Sequence, residues 1–244
     1  MELTPKVEFM NLTFDVTVMI GTLFTALIVF LVAILATRSR KWRPTGLQNV
    51  VEMLIDFSRG MTRMAYDDKT AEKYLAFTFT LFLFIFVANE IGVLLMVTAE
   101  AHQPIPWLGL TEEALEENHG VSWFRSPTAD LNVTLAMAIA VALYSHFAGI
   151  RSSFKNYVGH YLSPLLPIHL IEEFSKPLTH AMRLWANIFA GEILITVMLT
   201  MGSPWITGAP LLVWIGFSLF VGVIQAYIFT VLANVYISQK LAHH

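Results

Sequence analysis

The chain has 244 residues, 56% of them hydrophobic and only 14% charged, with a mean hydropathy of +0.62 and a formal net charge of −3. A soluble domain so composed would lack polar surface, so the chain is an integral membrane protein, and its charge pattern excludes nucleic acid as a partner. Without cysteine there is no disulfide framework, thiolate nucleophile or Cys metal site.

Five apolar segments, at about 12–36, 74–98, 130–150, 164–201 and 209–238, are each long enough for a membrane helix. Ahead of the first stand only Lys6, Glu2 and Glu8, whereas Arg38, Arg40, Lys41 and Arg43 follow it. It therefore reads as a retained transmembrane helix with its N-terminus outside, not as a signal peptide. Pro44 then opens an amphipathic stretch, about 44–66. There Leu47, Val50, Val51, Leu54, Ile55 and Phe57 interleave with Glu52, Asp56, Arg59 and Arg63, as expected of an interfacial helix.

The second segment carries Asn89 and Glu90 near its far end. Loop 99–127 follows with Glu100, Glu112, Glu113, Glu116 and Glu117. Asp130 opens the third segment, where it serves either as helix N-cap or as part of a polar pathway. Loops 37–73 and 151–163 and the tail hold eleven of the fifteen Lys and Arg residues, which predicts that they face the cytoplasm together with the C-terminus. The fourth segment starts at a Ser163-Pro164 cap signal and meets no stop before Gly202-Ser203-Pro204. That is roughly 39 residues, or about 58 Å against a hydrocarbon core of about 30 Å. Pro177 either kinks or splits it. The fold class expected is an all-α integral membrane protein with five membrane-embedded helical elements and one interfacial amphipathic helix. Its last two long helices form an obliquely lying hairpin.

The fourth segment is also densely polar, with His169, Glu172, Glu173, Lys176, Thr179, His180, Arg183, Asn187 and Glu192. Glu172, Glu173 and Lys176 near its cytoplasmic end are open to a second reading as snorkelling charges. Arg183 lies deeper. A guanidinium does not discard its proton, and at the centre of a membrane helix it costs roughly 2.5 to 3.5 kcal/mol on insertion scales. Its same-face neighbours Thr179, His180, Ala186 and Asn187 include no carboxylate, so its counter-ion lies on another helix or another protein. Glu192, nine residues on, projects about 180° away. In the fifth segment Ser218, Gly222 and Gln225 form a small and polar stripe, which either lines water or bonds between helices. Topology places Asn187, Glu192, Gln225, Ser218, Asp130 and Glu90 in the outer half. His169, Glu172, Glu173, Thr179 and His180 fall in the inner half, with Arg183 between the two sets. Two polar half-paths separated by a fixed cation would pass protons without a continuous leak.

The run S-K-P-L-T-H-A-M-R-L-W-A-N-I-F-A-G-E at 175–192 and Q-A-Y-I-F-T-V-L-A-N-V-Y-I at 225–237 closely resemble subunit a of the F-type ATP synthase. A-D-L-N-V-T-L-A-M-A at 129–138 and Asn89-Glu90 fit the same family. The resemblance implies a stator subunit packed against a rotating ring of c subunits, each with one buried carboxylate that pairs in turn with Arg183. It also implies b subunits of a peripheral stalk, the remaining ATP synthase complex and membrane lipid as partners, and no cofactor or metal. In the family the arginine is essential, and Asn187, Glu192 and Gln225 fall on positions associated with the outer channel. Several members carry His where this chain has Ser218, so a titratable relay is absent at that position. The lack of a transit-type leader favours a bacterial plasma membrane.

A secondary ion-coupled transporter is the alternative, but no pair of inverted halves is visible. An intramembrane protease lacks its motifs, since neither H-E-x-x-H nor G-x-S-x-G occurs.

Overall fold

The protein is represented by a computed structural model, which describes residues 3–38, 46–99, 103–117, 120–161 and 166–241. Arg40, Lys41, Arg43, Pro44, Glu100, Ser163 and Pro164 lie outside the described residues.

The chain opens on a hairpin of β1 (Lys6–Phe9) and β2 (Leu12–Asp15), turned through Met10 and Asn11, both at positive φ. Two successive positive φ values suit a two-residue hairpin loop. Residues 12–15, expected in the first membrane helix, are therefore strand. Asp15 Oδ1 accepts from Val18 N at 3.2 Å and so begins α1 (Val16–Arg38). The amphipathic helix α2 (Leu47–Arg63) packs along α3 (Asp68–Leu94), and Arg59 pairs with Asp56 on its own helix and Glu72 on α3. Asp67 caps α3 by accepting from Thr70 N, and hydrogen bonding to Thr70, from its side chain foremost, holds the Asp67 carboxyl below the usual range. Helix α3 stops at Leu94, short of the expected 98, because Val97–Ala99 forms β3 and pairs with β4 (Val121–Phe124).

This loop folds into a small cap that also includes the short helix α4 (Glu112–Glu117). Leu108, Leu110 and Val121 are its buried centre, with Leu3, Val7 and Trp123 packed on them. Ser122 N donates to Leu3 O, and Thr17 Oγ1 donates to Ser122 O, each at 2.9 Å. The N-terminal hairpin is thus stitched to a loop more than a hundred residues away.

Beyond the cap, α5 (Leu131–Ser152) leads through the short α6 (Phe154–Tyr161) to α7 (Leu166–Met201) and α8 (Pro204–Leu241). Pro177 lies inside a continuous α7, so the helix is not split. Gly202 and Ser203 join α7 to α8. A Cβ on Gly202 would stand 2.3 Å from the Thr207 side chain and 2.5 Å from Met198 O, so the turn admits no larger residue. Among the described residues, five helices are long and apolar enough to cross a membrane, namely α1, α3, α5, α7 and α8.

The core lies where α3, α5, α7 and α8 meet. Phe82 and Ile85 pack there with Ala138, Val141, Ala181, Leu184, Ile188, Ala226, Phe229 and Ala233. Ala181, Ala226 and Ala233 are wholly buried, and their small size lets the backbones come close. Leu23, Phe30, Leu212 and Val213 are more than half exposed, as lipid-facing residues are.

Candidate functional site

Polar groups inside the bundle collect at its two ends. At the cap end, a short turn at residues 126–129 is wedged between α3 and α7. A Cβ on Gly92 of α3 would fall 2.1 Å from Ser126 Cβ, so only glycine admits this wedge. Ser126 N donates to Glu192 Oε1 at 2.9 Å, and Ser126 Oγ donates to Ala88 O at 3.0 Å. Thr128 Oγ1 sits 2.6 Å from Ser126 Oγ and donates to Asn89 Oδ1, also at 2.6 Å. Asn89 Nδ2 in turn donates to Gly222 O on α8 at 2.9 Å. Ser126, Thr128 and Asn89 are fully buried and Glu192 is 6% exposed.

Two further groups border this network. Glu90 Oε1 is buried and forms no hydrogen bond among the described residues; it would stand 2.9 Å from a Cβ on Gly222. Ser218 Oγ is likewise buried and unbonded, facing Gly191. Trp214 Nε1 donates to Gly191 O at 3.3 Å, which fixes the same stretch of α7 against α8. Asp130 is occupied otherwise. It caps α5 through Asn132 N and Val133 N and pairs with Arg125 at 3.5 Å, so the capping reading is the one the geometry takes. Arg125 also reaches Asp15 at 3.7 Å.

At the opposite end, Glu173 of α7 joins two other helices. Its Oε2 lies 3.1 Å from His146 Nε2 of α5, and its Oε1 pairs with Lys240 of α8. His146 Nδ1 lies 2.8 Å from Tyr157 OH of α6. Glu172 pairs with Lys176 one turn along at 2.9 Å, and Lys176 also donates to Gln239 Oε1. His169 is part-exposed near the start of α7. Deeper in the bundle, Thr78 Oγ1 donates to Asn234 Oδ1 at 2.9 Å.

Arg183 lies between these clusters on an exposed face of α7, in line with Thr179, Ala186, Asn187 and Ala190, all exposed. Among the described residues it forms no ion pair, and the carboxylates of its own helix are held elsewhere. Thr179 Oγ1 donates back to Ser175 O at 2.7 Å. His180, expected on this face, is not there. It is 3% exposed and stacks on Phe229 of α8 with centroids 3.7 Å apart. Its position three residues before Arg183 turns it about 60° away, enough to bury it under α8. Gly191 faces Ser218 and His180 faces Phe229, so the antiparallel register brings Gln225 and Ala226 level with Arg183. Gln225 is 7% exposed.

Of the residues singled out in the sequence, Glu192, Glu90 and Ser218 thus lie at the cap side of Arg183, Gln225 stands level with it, and Glu172 and Glu173 lie at the other side. Sequence reasoning missed Ser126, Thr128, His146, Tyr157 and Lys240. The Ser-Pro-Thr run before Asp130 was the available signal for the first two, but it also reads as an ordinary helix start. The other three carried none. No cluster of metal-ligating side chains occurs among the described residues.

Fold and site define a multi-pass α-helical membrane protein with buried polar clusters on either side of an exposed cation. A family model described as ATP synthase A chain matches residues 19–238. ATP synthase subunit a of Priestia megaterium is 37% identical over 98% of this chain and 97% of its own. That of Alkalihalophilus pseudofirmus is 37% identical over 98% of both, and that of Listeria welshimeri 39% over 98% and 97%. The chain belongs to the ATP synthase subunit a family.

Proposed function

We propose that this subunit is the proton-translocating stator of a rotary F-type ATP synthase in a bacterial plasma membrane. The cap and the N-terminus face outside, and the C-terminus faces the cytoplasm. The face bearing Thr179, Arg183 and Asn187 meets a ring of c subunits, and b subunits of the peripheral stalk hold the stator in place. Two offset half-channels reach that interface. Glu192, Glu90, Gln225, Ser218 and Asn187 belong to the outer one, with Asp130 shaping its rim. Glu172, Glu173, His169 and Thr179 belong to the inner one, and buried His180 positions α7 against α8.

The observation that carries this reading is Arg183 itself, a permanent cation on a bare helix face with no carboxylate of its own. A ring carboxylate supplies the missing partner. A proton arriving through the outer path neutralises such a carboxylate, which then enters lipid at little cost. Another carboxylate, rotated round to the inner path, releases its proton there. Arg183 bars direct passage because a cation in the path raises the barrier to a second positive charge. The membrane potential biases rotation by about 2.3 kcal/mol per charge per 100 mV. The subunit alone is no enzyme; the remaining complex makes ATP from the torque.

Arg183→Ala is expected to leave the complex assembled and to abolish ATP-driven acidification of inverted vesicles, read by quenching of a pH-sensitive dye. Arg183→Lys should fail as well, because an ammonium lacks the planar fork. Pumping near the wild-type rate in either variant overturns the stator role.

A further inference from the structure

His146 takes no part in the scheme above, yet it is the residue around which the inner ends of four helices converge. Each ring nitrogen has a partner, Nε2 at 3.1 Å from Glu173 Oε2 and Nδ1 at 2.8 Å from Tyr157 OH. Lys240 of α8 pairs with the other oxygen of Glu173, and its side chain is 7% exposed. Among the described residues, the titratable and charged groups facing His146 are Tyr157 on α6, Glu173 on α7 and Lys240 beyond it on α8. Backbone packing holds them in place. A Cβ on Gly149 would stand 3.1 Å from both Lys240 Cβ and the Tyr157 ring, so α5, α6 and α8 touch there directly.

The junction opens into a groove of about 770 Å³ between α5 and α7. His146, Tyr157 and Glu173 are its titratable lining, and the groove runs past Leu178 and Ser175. Ser175 and Thr179 are one turn apart and both exposed, so the groove ends beside the face that carries Arg183. The mouth of the inner path thus holds an imidazole bonded on both sides, with apolar walls leading from it toward the site of exchange.

Lys240 pairs with one oxygen of Glu173 and leaves the other to His146. Of the four groups, the imidazole is the one whose two ring nitrogens can separately take up and give away a proton, as a shuttle requires. Taking the proposed stator role as given, we infer that His146 is the proton-relay residue at the inner mouth. In its neutral form Nε2–H donates to Glu173 and Nδ1 accepts from the Tyr157 hydroxyl. In ATP-driven pumping, one proton from cytoplasmic water binds at Nδ1, and the Tyr157 hydroxyl turns to accept from it. Glu173 is the counter-ion of the imidazolium. That proton then passes to a water in the groove and the ring returns to neutral, with no net change in the junction. Synthesis runs the same steps in reverse. Tyr157 and Lys240 are positioning residues.

The test uses the whole complex in inverted vesicles, whose outer medium bathes the inner mouth. His146→Gln keeps polar atoms on the ring's two sides but does not titrate. Expected is a several-fold slower initial rate of ATP-driven acidification. The wild-type dependence on outer-medium pH should flatten, while assembly of the complex is unchanged. Tyr157→Phe should slow pumping less and keep the pH profile. A His146→Gln complex that assembles and pumps with the wild-type rate and profile overturns the relay. So does one that is slower at every pH by a constant factor, since that marks a helix clamp only. Should His146→Gln fail to assemble, His146→Asn is measured in the same way and the same two outcomes decide. Arg183→Ala in parallel separates the two readings, because a pumping Arg183→Ala complex refutes the stator scheme itself, whereas an inactive one with wild-type behaviour at His146 refutes the relay alone.

Discussion

Glu192 Oε1 accepts a hydrogen bond from Ser126 N at 2.9 Å, across 66 positions of sequence. The side chain of a membrane helix is thereby aimed by the backbone of a turn. That turn is held by Ser126 Oγ on Ala88 O and by Thr128 Oγ1 on Asn89. Orientation of the carboxylate depends on hydroxyl groups that carry no charge and never titrate.

Thr128→Val should therefore weaken the subunit by about 1 to 3 kcal/mol, because it strips a donor from the fully buried Asn89. Thr128→Ser should stay near wild type. Thermal denaturation of the detergent-purified complex reads the difference, and equal melting of the valine and wild-type proteins would count against the network.

Packing around the same wedge makes a second comparison. A methyl at Gly92 collides with Ser126 Cβ, Cα and N at 2.1, 2.6 and 2.8 Å, atoms that cannot swing aside. A methyl at Gly216 on α8 meets nothing within 4 Å. Gly92→Ala is expected to cost about 1 to 3 kcal/mol or more through overpacking and to lower the yield of assembled complex. Gly216→Ala should leave both unchanged.

Single cysteines suit this Cys-free chain and address the sidedness of the paths. Thiols at Glu192 and Gln225 should react with a small membrane-impermeant reagent from the outside only, and thiols at Glu173 and Thr179 from the cytoplasm only. Labelling of all four from one side would reveal a single continuous pore.

The exposed face of α7 predicts where the ring sits. A cysteine at exposed Asn187 should cross-link under mild oxidation to cysteines flanking the ring carboxylate, whereas one at Glu192, 6% exposed and turned into the subunit, should not. The reverse pattern would move the ring to the other side of α7 and away from Arg183.

Much of this was open to inspection in the sequence, because a hydrocarbon solvent imposes strong local rules. Apolar runs of sufficient length announced the five spanning helices, and the Gly202-Ser203-Pro204 stop placed the final hairpin. The nine-residue step from Arg183 to Glu192 placed one outward and the other inward by helical phase alone. Arg183 needed a partner from elsewhere because no carboxylate stood within a turn of it.

Partners across the fold were another matter. Helical phase says which way a side chain points but not what waits there. His180, about 60° from Arg183, shares the bare face by phase alone, yet Phe229 of α8 covers it. Residues 12–15 and 95–98 look apolar enough to extend their helices, yet strand pairing and the Asp15 cap draw them into the cap. The bond from Ser126 to Glu192 and the meeting of His146, Glu173 and Lys240 join distant segments. Hydropathy and periodicity are local properties, whereas such contacts depend on how the helices pack, and only the tertiary structure decides that.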